Sequence, residues 1–274
     1  SCYPGSGSFT RSGANYDAGA RTPLAAIFAS IMLALVLVLL PGMTAYLPMP
    51  AMAGVVMLIA WNLIDFHHIR QIVRASRGEM AVLTVTFAST LLLQLEFAIY
   101  VGVLLSLVLY LQRTARPLMV NLAPMPERRE RTLRNAARRG LAECPQLRIL
   151  RVDGALFFGA VDRVQTELKS DPDGHRVHVL VIGNGISLID VAGGELLAQE
   201  AERLRGLGGG LYLCGIKPPV LETMRRGGYL QAIGEENCFS SPREAISSIF
   251  GRLDPDICRS CTKRVFVECA HGNL

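Results

Sequence analysis

Hydrophobic positions follow two regimes along this chain: unbroken apolar blocks between residues 24 and 111, and short apolar runs broken by polar turns after residue 147. Leu24 to Leu40 is seventeen residues without a charge, bracketed by Pro23 and Pro41. Leu47 to Ile64 is likewise uncharged, and Met80 to Leu111 is thirty-two residues interrupted by Gln94 and Glu96. A bilayer crossing takes ~20 residues, so the last block divides into two short helices turning at Gln94, Leu95 and Glu96. The pattern predicts spans over 24–40, 47–65, 80–94 and 97–111, since helices of a soluble core keep a polar face that these blocks lack.

Arginines orient the spans. The connections 66–79 (Arg70, Arg74, Arg77) and 112 onward (Arg113, Arg116) are basic, whereas 41–46 and 94–96 carry no arginine or lysine. Alternate loops then obey the positive-inside rule with the C-terminal half cytoplasmic. His67 and His68, beside Arg70, are expected to meet headgroups or water, and Glu96 to be solvated at the opposite turn.

Ahead of the first span stands SCYPGSGSFTRSGANYDAGART. If Arg21 marks the interface, ten helical residues at ~1.5 Å each place Arg11 roughly 15 Å deeper, about half of a ~30 Å hydrocarbon core. A half-helix starting there aims the unpaired N–H groups of its first turn at the protein centre. With the hydroxyls of Ser8 and Thr10 and the Arg11 guanidinium, they make an anion site. A cytoplasmic loop with two ordinary surface arginines fits the same residues, and the physics leaves both readings open. The start at Ser1, with no N-terminal polar domain, reads as the back end of a longer protein.

Residues 114–146 form a basic linker, with Arg128, Arg129, Arg131, Arg134, Arg138 and Arg139 against Glu127, Glu130 and Glu143. A solvated helix over 127–140, with Glu127–Arg131 and Glu130–Arg134 pairs, is expected there. Near an anionic leaflet each basic residue contributes ~1 kcal/mol of attraction. From 147 to 252 strand and helix signals alternate. LRILRVDG and ALFFGA, parted by Asp153 and Gly154, predict a β-hairpin; RVHVLVIGNGI and LYLCGI predict strands. Helices are expected over 161–170, over 191–207 with Asp190 as N-cap and Gly208 to Gly210 as the stop, and near 218–226 and 242–250. The order implies one compact α/β domain.

Composition adds little, because 50% hydrophobic residues and a mean hydropathy of +0.33 average over two unlike halves. The net charge of +5 points to a membrane surface and not to nucleic acid, since no aromatic stacking platform accompanies the arginines. GNGIS and GLGGG lack the lysine and hydroxyl of a phosphate loop, and no nucleophile, base and orienting group recur at usable spacing, so neither an enzyme nor an organic cofactor is expected. The tail 253–274 departs from this picture. Cys258, Cys261, Cys269 and His271 give C-x2-C-x7-C-x-H, a candidate tetrahedral zinc set on the reducing side; reduced or redox-sensitive surface thiols are the alternative. Cys144, Cys214 and Cys238 read as scattered structural residues.

GSFTRSGANYDAGARTPLA before a span, then LPMPAMAGVVMLIAWNLID, a basic loop and LEFAIYVGVLLSLVLYLQRTARP, closely resembles the C-terminal transmembrane part of the SulP anion transporters, relatives of prestin and pendrin. ILRVDGALFFGAVDRV and IDVAGGELL resemble the STAS domain that these transporters carry behind their last span. The resemblance implies a membrane α-helical fold, the last spans of an inverted-repeat transporter, followed by a soluble α/β STAS domain. It implies a half-helix over 8–20 with anion-contacting positions at Ser8, Phe9, Thr10 and Arg11, and an opposing half-helix outside this chain. It implies secondary transport of sulfate, bicarbonate or a small dicarboxylate by alternating access, a homodimer joined through membrane and STAS parts, and a multi-pass place in the cytoplasmic membrane. Where the stand-alone anti-sigma-antagonist branch has a phosphorylated D-S-S-G core, this chain has Asp190, Val191, Ala192 and Gly193 with no hydroxyl, so no phospho-switch is expected. The alternative function is a membrane-tethered STAS interaction module without transport.

Overall fold

The computed structural model describes residues 18–39, 48–125, 132–170 and 176–270, with single positions at 7, 12, 13, 15, 16 and 42. The chain divides into two units, Ser1–Gly102 and Val103–Leu274.

The first unit is helical because its apolar blocks leave a backbone no other way to pair its own polar groups away from water. Helix α1 (Leu24–Leu39) and helix α2 (Met49–Asn62) bury no side chain at all. Apolar surface on every side with nothing covering it is the signature of a helix meant for lipid. The connection expected as a basic loop over 66–79 is mostly helix α3 (Phe66–Ala75). Asp65 starts it by accepting the His68 N–H at 2.9 Å. Phe66, Ile69, Ile72 and Val73 recur at helical spacing on one side, with His67, Gln71 and Arg74 on the other, an amphipathic pattern that charge counting along the chain mistakes for a loop. Helix α4 (Arg77–Leu92) begins with Ser76 as its N-cap, the hydroxyl accepting from the Glu79 N–H. Helix α5 (Leu95–Thr114) follows a break at Leu93 and Gln94; its twenty residues make about 30 Å, one hydrocarbon thickness. Gly102 lies so close to α4 that a Cβ there would stand 2.7 Å from the Thr86 hydroxyl.

The second unit is built on a six-stranded sheet. Strand β1 (Leu118–Pro124) opens the domain, and strand β2 (Leu133–Asn135) and the one-turn helix α6 (Ala136–Arg139) occupy the described part of the stretch where a helix over 127–140 was expected. β1 pairs antiparallel with β2. Residues 127, 130 and 131 of the anticipated ion pairs lie outside the described residues. Strand β3 (Leu147–Leu156) and a 3-10 turn at Phe158–Ala160 replace the predicted hairpin. Gly154 does not turn the chain back: at φ +140 it makes an irregularity in one continuous strand, and a Cβ there would press on Pro117 at 3.0 Å.

Helix α7 (Val161–Lys169), strand β4 (His178–Ile189), helix α8 (Val191–Gly206), strand β5 (Gly210–Cys214), helix α9 (Pro218–Arg226), helix α10 (Tyr229–Ile233), strand β6 (Cys238–Phe239) and helix α11 (Pro242–Phe250) complete the domain. The sheet order is β2-β1-β3-β4-β5-β6, parallel from β3 to β6 and antiparallel where β1 meets β3. The parallel strands read as continuous apolar runs because both faces are covered. Leu150, Val179, Val181, Leu211 and Leu213 face α7, α8, α9 and α10, whose Val164, Leu197, Leu204, Met224 and Leu230 close that core. Ile149, Leu180, Ile182, Tyr212 and Cys214 face the other way, onto Ile246 and Ile249 of α11 and onto Phe266 of the tail. The tail carries helix α12 (Pro255–Ser260) and a 3-10 turn at Val267–Ala270.

Candidate functional site

Ser8, Phe9, Thr10 and Arg11, the expected anion contacts, lie outside the described residues. Just beyond them Ser12, Gly13, Asn15 and Tyr16 are helical, and the helix stops at Gly19. The Ala20 N–H donates to the Asn15 carbonyl at 3.0 Å and the Gly19 N–H to the Tyr16 carbonyl at 2.9 Å. This is a Schellman closure, and it needs the left-handed φ of +89 that glycine adopts without strain. Gly13 lets the segment pack against Leu63, whose Cδ2 would sit 3.1 Å from a Cβ added there.

Glu96 is exposed in the first turn of α5, where a negative charge complements the free N–H groups of the helix start. His67 and His68 lie on α3; His67 Nε2 is 2.9 Å from the Gln71 side-chain amide.

In the sheet domain, Asp190 is fully engaged as a structural acceptor. Its Oδ1 takes the Gly193 N–H at 2.9 Å, the expected cap, and its Oδ2 takes the Phe158 N–H at 2.9 Å. One carboxylate thus ties the start of α8 to the turn after β3. A Cβ on Gly193 would run into the Leu156 carbonyl, so the helix start lies directly on the strand end. Arg148, 2% exposed, donates to Asn121 Oδ1 at 3.0 Å and to the carbonyls of Glu167 and Ser170 at 2.7 Å, a cation closing the C-terminal end of α7. His178 lies 3.1 Å from the Tyr212 hydroxyl; burial, with Arg252 nearby, holds its imidazole below the usual range.

Two further clusters emerge. Arg134, Arg138, Arg139 and Arg151 rim a groove floored by Leu118, Val120, Leu122 and Leu133. Arg151 pairs with Asp153 at 2.8 Å. The second cluster is a narrow cavity where the tail meets the sheet domain, lined by Cys144, Cys258, Cys261 and Cys269 with Gln146, Arg264 and Phe266. All four cysteines are free thiols. Of the sequence-based zinc set, Cys258, Cys261 and Cys269 come together here, and His271 lies outside the described residues. Cys144, taken from sequence as scattered, is part of the cluster: it precedes β3, and only the sheet brings that strand's start to the tail. Among the described residues, no three His, Cys, Asp or Glu side chains stand as they are in an arrangement that could hold a metal ion.

Residues 1–86 match the sulfate permease family and residues 140–245 match the STAS domain. Solute carrier family 26 member 10 of Mus musculus is 27% identical over 274 residues, covering 96% of this chain and 40% of the relative. Sulfate transporter 1.1 of Arabidopsis thaliana is 24% identical over 259 residues, covering 90% of this chain and 40% of the relative. The solved structure of the murine solute carrier 26 family member A9 anion transporter, in its inward-facing state, shares the fold with a TM-score of 0.70 at 19% identity, over 86% of this chain and 39% of that one. The chain spans about two-fifths of the length of the curated relatives it matches.

Proposed function

We infer that the intact protein is a secondary transporter of small anions, from a chain whose residues 1–86 match the sulfate permease family and whose residues 140–245 match the STAS domain. Its substrate is sulfate, bicarbonate or a small dicarboxylate, moved by alternating access. The observation that carries this reading is the joining, in one chain, of uncovered apolar helices to a STAS sheet, in the order of an anion transporter of the same fold.

In this reading the half-helix that stops at Gly19 presents its first-turn N–H groups, the hydroxyls of Ser8 and Thr10 and the guanidinium of Arg11 to the anion. Partial positive charge at a helix start and a fixed cation in a low-dielectric site stabilise a dehydrated anion without a titratable donor. α1, α2, α4 and α5 cross the bilayer, with α3 lying in its interface; Arg70, Arg74, Arg77, Arg113 and Arg116 then share one side, which the positive-inside rule makes cytoplasmic. The STAS domain and the tail follow on that side, and the protein resides in the cytoplasmic membrane as a homodimer.

Leu118 is four residues beyond the end of α5, so the arginine-rimmed groove begins within about 14 Å of that helix end. Anionic headgroups are its partner, at ~1 kcal/mol per arginine near the surface. The alternative of a tethered interaction module draws support from the completeness of the second unit, with its own sheet and two cores. Uptake into proteoliposomes carrying the intact transporter decides. Saturable flux that Arg11→Ala abolishes and Arg11→Lys partly restores, at equal membrane insertion, supports transport through this site. Absence of saturable flux for every anion class named supports the module, and flux untouched by Arg11→Ala removes Arg11 from the site.

A further inference from the structure

We propose that the crevice at the ends of strands β5 and β6 is a binding site for a small monocarboxylate with an apolar body. The helices that follow β3, β4 and β5 all pack on one face of the sheet, through Val164, Leu197 and Val220. The helix that follows β6 packs on the other face, through Ala245, Ile246 and Ile249. The chain therefore leaves the neighbouring ends of β5 and β6 in opposite directions and opens a gap between them, the kind of place where open α/β sheets take their ligands. A crevice of about 640 Å³ occupies it, within the ~300–1,000 Å³ usual for small-molecule sites.

The connections after the strands build its walls. The Gly215 N–H donates to the Phe239 carbonyl at 3.0 Å and ties the two strand ends together. Gly215 takes φ +67, and a Cβ there would collide with the Asn184 side chain, so glycine lets Asn184 of β4 lie over the end of β5. Leu213, Ile216, Leu221, Cys238 and Phe239 supply apolar surface. Asn184, Lys217 and Ser240 supply the polar groups.

The charge pattern selects the headgroup. Lys217 stands at the N-cap of α9, where a cation opposes the helix dipole and its side chain caps nothing. Its ammonium has no carboxylate partner among the described residues. A residue that breaks a local rule without compensation in the fold points to a site. Pro218 and Pro219 follow and lack N–H groups, and the N–H groups of Val220 and Leu221 donate back to the Lys217 carbonyl at 3.0 Å. Among the described residues, the start of α9 thus offers the crevice one point charge and no row of free N–H groups of the kind that cradles phosphate. At the opposite rim the Ser240 hydroxyl donates to Glu244 at 3.0 Å, an acid that disfavours a multiply charged ligand. One cation beside apolar walls fits a carboxylate whose hydrocarbon part gains by leaving water.

The site is independent of what the protein transports. Alkylation of Cys238 by iodoacetamide in the full chain, held in lipid nanodiscs and located by mass spectrometry, reads occupancy at the crevice itself. Burial first, and Glu235 and Glu236 after it, push this thiol up to about 11, so the reaction is slow and is followed at alkaline pH. Saturating octanoate should slow it several-fold, while Cys261, outside the crevice, reacts as before. The concentration for half protection should rise about threefold to fourfold for each CH2 removed from octanoate. It should rise about tenfold in Lys217→Gln, the loss of one charged hydrogen bond. Absence of protection by octanoate, equal protection by octanol or by inorganic phosphate, or an unchanged half-protection concentration in Lys217→Gln overturns the proposal. Because the ligand series is read on the unaltered chain, a folding failure of Lys217→Gln does not rescue it.

Discussion

Asp190 shows how much a single side chain settles. Sequence allows it to be a cap or a ligand, and the structure spends both carboxylate oxygens on backbone N–H groups of Gly193 and Phe158. Asp190→Ala should therefore cost about 2–4 kcal/mol, the usual value of a helix cap plus one further lost charged hydrogen bond. Thermal unfolding of the purified chain should show a lower sheet-domain transition; an unchanged transition would mean that the cap contributes nothing. His178 gives a pH prediction. Its imidazole titrates near 6.5 when unfolded and lower when folded, because burial first and Arg252 second disfavour the cation. Its contribution is complete above about 6.5 and is lost as pH falls through the folded value. The transition should drop more steeply below about pH 6.5 than in His178→Gln; parallel curves would contradict this.

At the scale of elements, the legible parts were those where several local signals agree. Helices at Pro218–Arg226 and Pro242–Phe250 have proline at the start and glycine at the end, and both run over the anticipated residues. The stop at Gly208 to Gly210 is likewise met, the Gly209 N–H reaching the Leu204 carbonyl at 2.9 Å. Strand β2 was hidden because its single apolar residue, Leu133, sits beside Arg134, and strand β1 because its pairing with β3 is a long-range fact. Asp153-Gly154 misled because a turn dipeptide and a strand irregularity ask for the same backbone freedom. Helix α3 was hidden by its own charged face. Where two elements touch, small residues predict the cost of change. Gly102→Leu should destabilise the α4–α5 pair by about 1–3 kcal/mol through overpacking against Thr86, with Thr86→Ala restoring part of the loss. A detergent thermal-shift series measures both, and no coupling between the two substitutions would place the contact elsewhere.

For the whole molecule, two chemistries of one chain divide the work. Residues 24–114 hold apolar surface with no protein over α1 and α2, and residues 118–266 hold a two-faced core built on a sheet. The division was readable from hydrophobic pattern alone. The proposed anion site was not: Ser8 to Arg11 are singled out only through resemblance, since two arginines ten residues apart fit a loop as well as a half-helix. In the cysteine-lined cavity, Cys258, Cys261 and Cys269 were singled out by spacing, while the place of Cys144 depends on topology. Transport as proposed depends on the N–H-lined helix start at residues 8–11 binding an anion inside the bilayer. Cysteine placed at Ser8 or Thr10 of the intact transporter, exposed to a membrane-impermeant thiol reagent and located by mass spectrometry, tests this most directly. Labelling that is slow and further suppressed by the transported anion is the predicted result, and rapid labelling indifferent to any anion would contradict it.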